Sequence, residues 1–340
     1  MRTLPLFSTL SALLPLSLST AIPRQTTQPE YAGYLLSTFT DANPAVYWYI
    51  SSAEDPLAFK PLNGGDPVLS STVGTRGTRD IFLTSNEGRS EYFIITTDLD
   101  INAAGFSWDE ATRRGSRGLV IWRSTNLVDW NEPYLATIES PEAGMAWAPS
   151  VVWNSTEEQY YLFWASRLYT SSDKNHTGLA NLDRIRYATT PDFITFSEAA
   201  DYVALDNENI PLIDQEFLFL GDEGHYARFL KDENVLHVYQ ETTTSGLFGE
   251  WTRTEGQEGA YIRTSVYEGP AAFPDVRVDG RYYLLMDNYE EYVAFVSEDV
   301  LSGEWTQLGF NETGLPRGLK HGNVFLLTGS EYEAVLERYS

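Results

Sequence analysis

Between residues 190 and 217 the chain reads Thr190-Pro191-Asp192-Phe193-Ile194-Thr195-Phe196 and then, after a polar stretch, Ile213-Asp214-Gln215-Glu216-Phe217. The first segment is a turn of small and polar residues that leads to an aromatic. The second is a polar residue opening a short strand. Both recur in alternation along the chain. Turn-to-aromatic segments end at Phe59, Trp130, Phe196, Trp251 and Trp305, with gaps of 71, 66, 55 and 54 residues. Strand openers fall at Asp80, Ser150, Asp214, Glu268 and His321, with gaps of 70, 64, 54 and 53 residues. Around them lie β-branched and aromatic runs of strand length, Tyr92–Thr97, Leu119–Arg123, Tyr160–Ala165, Tyr282–Met286 and Val324–Leu327, and helical periodicity is scarce.

Five such units, each a small antiparallel sheet, predict an all-β chain folded as a five-bladed β-propeller. A jelly roll is the structural alternative, and it leaves the alternation unexplained. Only 19 residues follow His321, too few for a four-stranded blade, and Phe59 precedes the first opener. The last blade is therefore expected to join a C-terminal inner strand to N-terminal strands near Tyr34–Thr38 and Val46–Ser51. That closure would hold the ring of a 340-residue chain that has no cysteine.

Composition narrows the function classes. With 48 acidic residues against 23 basic ones, a net charge of −25, the chain repels phosphate backbones and anionic lipid surfaces. Nucleic-acid and membrane partners are excluded on that ground. The absence of cysteine excludes thiolate zinc sites, iron–sulfur clusters and cysteine nucleophiles. Met1-Arg2-Thr3, a charge-free Leu-rich run to Leu18 and Ser19-Thr20-Ala21 read as a secretory signal over residues 1–21. A short linker over 22–30 and a propeller domain over 31–340 follow. Asn-x-Ser/Thr sequons begin at Asn154, Asn175 and Asn311 in polar, turn-like stretches. Behind a signal segment they predict a secreted, extracellular glycoprotein, expected as a monomer.

In a propeller the innermost strands line a central channel, and the residue opening each strand points into the funnel. Asp80, Asp214 and Glu268 would then share one cavity. Facing carboxylates raise one another's pKa, which favours a neutral acid beside an ionised base. Cleavage of a glycosidic bond needs that pair. The other reading is that these acids only open strands or cap turns, and three of them at matching repeat positions weigh against it.

Arg79-Asp80-Ile81, Ile213-Asp214-Gln215 and Glu268-Gly269-Pro270, with Trp147-Ala148-Pro149 and His321-Gly322, resemble the three-carboxylate pattern of family 43 glycoside hydrolases. The resemblance runs from about Tyr31 to the end of the chain and suggests a secreted, fungal-like member. It implies five-bladed enzymes acting on arabinose- and xylose-containing plant polysaccharides with inversion at the anomeric carbon. It also implies that Asp80 is the general base, Glu268 the general acid, and Asp214 the carboxylate that tunes and orients the acid. An Asp80–Glu268 separation in the ~6.5–9.5 Å class would leave room for water. Ile81 and Gln215 depart from the pattern where proline commonly follows, and Ser150 stands where an acidic residue is frequent.

Trp147 and Trp108 are candidate platforms for a sugar face, Trp108 within a rim loop over 102–118. A core position is the other reading for Trp147. Arg228 resembles an arginine that reaches substrate hydroxyls, with a salt bridge inside the blade as the alternative. His321 resembles a histidine beside a central ion, a structural calcium held through water. No cofactor is expected for the reaction itself. His176, His225 and His237 show no ligand spacing and are expected on the surface or on strands. The function expected is an α-L-arabinofuranosidase, with a β-xylosidase of the same fold or a non-catalytic sugar-binding propeller as alternatives. Propellers that cleave sucrose or fructan carry an Asn-Asp-Pro-Asn motif, and Asp41-Ala42-Asn43-Pro44 is not that sequence.

Overall fold

The computed structural model describes residues 30–340 apart from Gln257. The expected signal segment, and the linker up to residue 29, lie outside the described residues. Among those described, twenty strands form five four-stranded antiparallel sheets. Blade I runs β20 (Asn323–Thr328), β1 (Tyr31–Thr38), β2 (Tyr47–Ser52), β3 (Asp55–Pro61). Blade II runs β4 (Thr78–Ser85), β5 (Tyr92–Asp98), β6 (Gly118–Ser124), β7 (Tyr134–Thr137). Blade III runs β8 (Trp147–Asn154), β9 (Gln159–Ser166), β10 (Arg184–Thr190), β11 (Ala200–Val203). Blade IV runs β12 (Leu212–Phe219), β13 (Tyr226–Asp232), β14 (His237–Thr243), β15 (Thr252–Arg253). Blade V runs β16 (Glu268–Pro274), β17 (Tyr282–Asp287), β18 (Tyr292–Ser297), β19 (Thr306–Gln307). The chain is a five-bladed β-propeller.

The ring closes as expected. β20 pairs antiparallel with β1 from Tyr31↔Thr328 to Ser37↔Asn323, so the last inner strand belongs to the blade that begins the domain. The recurring aromatics belong to the outer edge of the blades. The indole N–H of Trp130 donates to the carbonyl of Leu127 at 3.0 Å, and that of Trp251 to the carbonyl of Leu247 at 3.1 Å, which ties each ring to its own turn. Trp305 is fully buried and reaches across to blade IV, where Gln240 Oε1 accepts its N–H at 2.8 Å.

A second lock was not expected. Helix α2 (Gly329–Tyr339) follows β20 directly, started by a capping box between Thr328 and Glu331. Its spacing of Tyr332, Val335, Leu336 and Tyr339 is the signal that a reading tuned to strands passes over. Glu331 accepts from Arg89 Nε at 2.7 Å and from the Tyr92 hydroxyl at 2.6 Å, and Tyr339 donates to the carbonyl of Val128 at 2.8 Å. Blade I is thereby tied to blade II on its outer side.

The inner strands correct the expected register. β4, β8, β12 and β16 each shift register near their start, in a bulge holding one left-handed residue. Those residues are Asp80 (φ 52°), Ala148 (φ 51°), Asp214 (φ 53°) and Gly269 (φ 55°). Ala148 and Gly269, not Ser150 and Glu268, are therefore the counterparts of Asp80 and Asp214. Ser150 lies two residues further along, buried, and level with Phe82, Glu216 and Ala271. Glu268 stands one residue earlier than Gly269, level with Arg79, Trp147 and Ile213. A bulge re-aims a side chain and bends the strand, and bulges concentrate beside functional sites.

Candidate active site

Strain at the bulges prepares this site. A left-handed conformation in a residue with a Cβ costs on the order of 1–3 kcal/mol and persists only where surrounding bonds hold it. Asp80 is held by the Thr97 hydroxyl, which donates to its Oδ2 at 2.7 Å and itself accepts the Ala148 N–H at 2.8 Å. Asp214 is held from blade V, where the Gly269 N–H donates to its Oδ2 at 3.1 Å. Gly269 has no room for a side chain: a Cβ there would meet Cβ and Cγ of His321 at 2.6 Å.

His321 supplies the central cation. Its Nδ1 lies 3.3 Å from Asp80 Oδ1 and 3.9 Å from Asp214 Oδ1. Burial alone would lower the imidazole pKa, but the Asp214 and Asp80 carboxylates outweigh it and raise it to about 9. At neutral pH the ring is an imidazolium. The two carboxylates respond in opposite directions. Burial pushes Asp80 upward, yet the bond and charge of His321, with Arg79 and Thr97, hold it below the usual carboxylate range. Asp214 is pushed up to about 7, by burial above all and by the charges of Glu268 and Asp80, against His321 and Lys231.

Glu268 opens β16 with part of its carboxylate in solvent, and its Oε2 accepts a hydrogen bond from Lys231 Nζ at 2.8 Å. Directly opposite in register stands Asp287, raised to about 6 by burial and by the charge of Glu268. Lys320 Nζ donates to Asp287 Oδ1 at 3.2 Å and to the Tyr289 carbonyl at 2.6 Å. Tyr289 (φ 71°) is partly exposed, with its ring centroid 5.3 Å from the Lys231 ammonium. The arrangement offers one carboxylate kept ionised and another set among carboxyl groups that take up protons near neutral pH. Such an arrangement can serve acid–base chemistry.

Lys231, Asp287, Tyr289 and Lys320 were missed by sequence reasoning. The signal for Lys231 is a lysine directly after the apolar pair Phe229-Leu230 in a strand, where a buried cation requires a partner. Asp287 ends β17, Tyr289 lies in the turn after it and Lys320 directly precedes His321, and nothing in their spacing separates them from ordinary turn residues.

Trp147 and Trp108 do come together, edge to face at 6.0 Å, and Phe106 packs edge-on against Trp108 at 5.0 Å. Trp108 is 54 % exposed. The stretch expected as a loop carries helix α1 (Trp108–Arg114), N-capped by Ser107. Arg113 and Arg114 pin it to the carbonyls of Gly178 and Asn175 at 3.1 and 2.8 Å. Arg228 is not part of this site. It pairs with Glu241 at 2.6 Å and lies 4.2 Å over the Trp251 ring, inside blade IV.

The residues around His321 do not make a calcium sphere. Calcium takes six to eight oxygen ligands, and an imidazolium already facing two carboxylates offers Nδ1 as a donor and repels a cation. Among the described residues no group of three or more His, Cys, Asp or Glu is arranged to hold a metal ion. His176, expected on the surface or a strand, is instead buried in a loop, stacked on Tyr169 with centroids 4.2 Å apart. Of the sequon residues, Asn175 and Asn311 are exposed, whereas the side-chain Oδ1 of Asn154 accepts from the backbone N–H groups of Thr156 and Glu157 at 2.9 and 3.1 Å.

Comparison with known proteins bears on this geometry. A glycosyl hydrolase 43-related family, described as "Probable glycosyl hydrolase domain", matches residues 29–333. An alpha-L-arabinofuranosidase of Bifidobacterium longum subsp. longum is 29 % identical over 302 residues, which are 78 % of this chain and 28 % of that protein. The chain thus spans less than a third of that relative's length. Among solved structures, a thermostable family-43 glycoside hydrolase is 19 % identical and covers 71 % of this chain and 75 % of its own, with a TM-score of 0.46. An exo-beta-1,3-galactanase from Phanerochaete chrysosporium is 14 % identical over 70 % of this chain and 52 % of its own, with a TM-score of 0.45.

Proposed function

This chain belongs to the glycosyl hydrolase 43-related family, and from that premise we propose that it is an inverting α-L-arabinofuranosidase releasing arabinose from plant cell-wall polysaccharides or oligosaccharides. The observation that carries the chemistry is the convergence of three carboxylates from three blades: Asp80 and Asp214 on either side of His321, and Glu268 beside Asp214 on a backbone that Asp214 holds. The choice of glycone rests on the arabinofuranosidase relative.

In this reading Asp80 takes the proton of a water as its oxygen attacks the anomeric carbon. Glu268 gives its proton to the glycosidic oxygen as the old bond breaks. Asp214 holds the Gly269 N–H and so fixes the backbone from which Glu268 projects. The exposed face of Trp108 and its contact with Trp147 supply an apolar surface for sugar C–H groups. The signal-like segment over residues 1–21 and the three sequons support an extracellular setting for this activity.

The test is a panel of aryl arabinofuranosides, xylosides and galactosides with NMR of the first-formed anomer. Turnover of the arabinofuranoside with an inverted product is expected. A retained anomer would overturn the mechanism, and preference for the xyloside would transfer the reading to a β-xylosidase. Glu268→Gln separates an enzyme from a sugar-binding propeller: binding persists while turnover falls by about 10²–10⁴.

A further inference from the structure

Lys231 is a buried charged residue of blade IV. It lies in β13 opposite Ile213, and its side chain is 3 % exposed. The ammonium stands 2.8 Å from Glu268 Oε2 and 2.7 Å from Glu233 Oε1. Asp214 from β12 and the ring of Tyr289, from the turn after β17, complete its surroundings. Burial favours the neutral amine, but Asp214, Glu268 and Glu233 outweigh it and the group stays charged. One buried ammonium is thus shared between the candidate acid and a second carboxylate.

The sharing has a chemical consequence. The acid starts neutral and ends as a carboxylate, so negative charge appears on Glu268 in the transition state. An ammonium already in hydrogen-bonding contact stabilises that charge without moving, the condition under which electrostatic stabilisation is most effective. Glu233 balances the ammonium while Glu268 is protonated, so Lys231 is never left as an unpaired buried charge.

We propose that Lys231 is a positioning residue for the acid, holding the Glu268 carboxyl toward the funnel and receiving the charge that develops there as its proton leaves. The inference rests on Glu268 being the general acid. The proton of Glu268 passes to the glycosidic oxygen while the anomeric C–O bond breaks. A water oxygen forms the new bond, and its proton goes to Asp80. Glu268 is left as a carboxylate paired with Lys231, and solvent returns a proton to it while Asp80 releases one. The groups facing Glu268 that set the pH range of this cycle are Lys231, Asp214, Asp287, Tyr289 and His321.

The test compares K231M and K231R with the wild type on two aryl glycosides of whichever sugar the wild type cleaves, one with a phenyl and one with a 2,4-dinitrophenyl leaving group. The phenyl leaving group needs the acid; dinitrophenolate departs largely without it. K231M should lose about 100-fold or more in kcat on the phenyl glycoside, at least about tenfold more than on the dinitrophenyl one. Without the ammonium the carboxyl keeps its proton to higher pH, so the alkaline limb of kcat/KM should move up by about one unit. K231R should restore both. Equal losses on the two substrates with an unmoved limb would overturn the proposal, as would no loss at all. If K231M fails to fold, K231Q carries the same comparison. A wild-type rate for Glu268→Gln on the phenyl glycoside would instead overturn the acid assignment, and this inference with it.

Discussion

Nδ1 of His321 lies 3.3 Å from Oδ1 of Asp80, so the bend leading into the last strand, β20, supplies the cation for the first carboxylate of the ring. Ring closure and the candidate base are therefore one arrangement. Pairing β20 with β1 brings His321 to the channel, and the bulge at Asp80 turns the carboxylate to meet it.

His321→Gln should move the acid limb of the pH–kcat/KM profile upward. The hydrogen bond and charge of His321 hold Asp80 low, and a hydrogen bond to a charged group is worth about 1.5–3 kcal/mol. Its loss corresponds to roughly one to two pH units. The variant should lose most activity below about pH 5 and least near neutrality. Rate measurements between pH 4 and 8 check this, and an unmoved limb would refute the coupling.

Thermal stability should fall as pH rises from mildly acidic to alkaline. His321 is raised above its unfolded value, so its contribution is complete below about pH 6.5 and is lost through about pH 9. Asp214 is also raised, to about 7, so the folded state binds the extra proton and loses stability as pH climbs from about 4 to 7. Asp80 acts in the other sense: its contribution is present above its unfolded value near 4 and lost in stronger acid. Calorimetry from pH 3 to 10 should place the maximum Tm on the acidic side of neutrality. A Tm that climbed steadily from pH 5 to 9 would contradict these assignments.

Gly269→Ala should damage the site and the fold together. The residue has φ 55°, and a Cβ would stand 2.6 Å from the Cβ and Cγ of His321. The backbone strain alone is on the order of 1–3 kcal/mol, and displacement of His321 adds a loss of activity. Urea unfolding and kcat/KM on the same preparations test both parts; unchanged stability would show that the bulge relaxes freely.

Trp108→Ala should leave stability within about 0.5 kcal/mol of the wild type, because the side chain is 54 % exposed. If the indole carries a sugar face, KM rises by about tenfold, since burying an apolar side chain is worth on the order of 1.5–3 kcal/mol, while kcat changes little. An unchanged KM would remove Trp108 from the binding surface.

The architecture was legible because a turn feeding an aromatic recurs at the outer edge of every blade. A turn feeding an aromatic marks the outer strand, since the indole of Trp130 or Trp251 bonds to its own turn, a local interaction that sequence spacing preserves. Asp80 and Asp214 were legible for the same reason, as bulge residues in matching places. Glu268 was found by a register that proved to be offset by one residue. A bulge adds a residue to one strand only, and which residue turns left-handed depends on its neighbours across the sheet.

Sequence alone determined the number of blades, their order and the strand that closes the ring, because these follow from local periodicity and from the count of residues left after His321. It also singled out Asp80, Asp214 and Glu268 as candidate site residues. Only the tertiary structure decided how each is treated. His321, Lys231, Asp287 and Lys320 reach the carboxylates from strands and turns far apart in sequence. Burial and charge act through space, and a pKa depends on which groups face one another rather than on which groups follow one another.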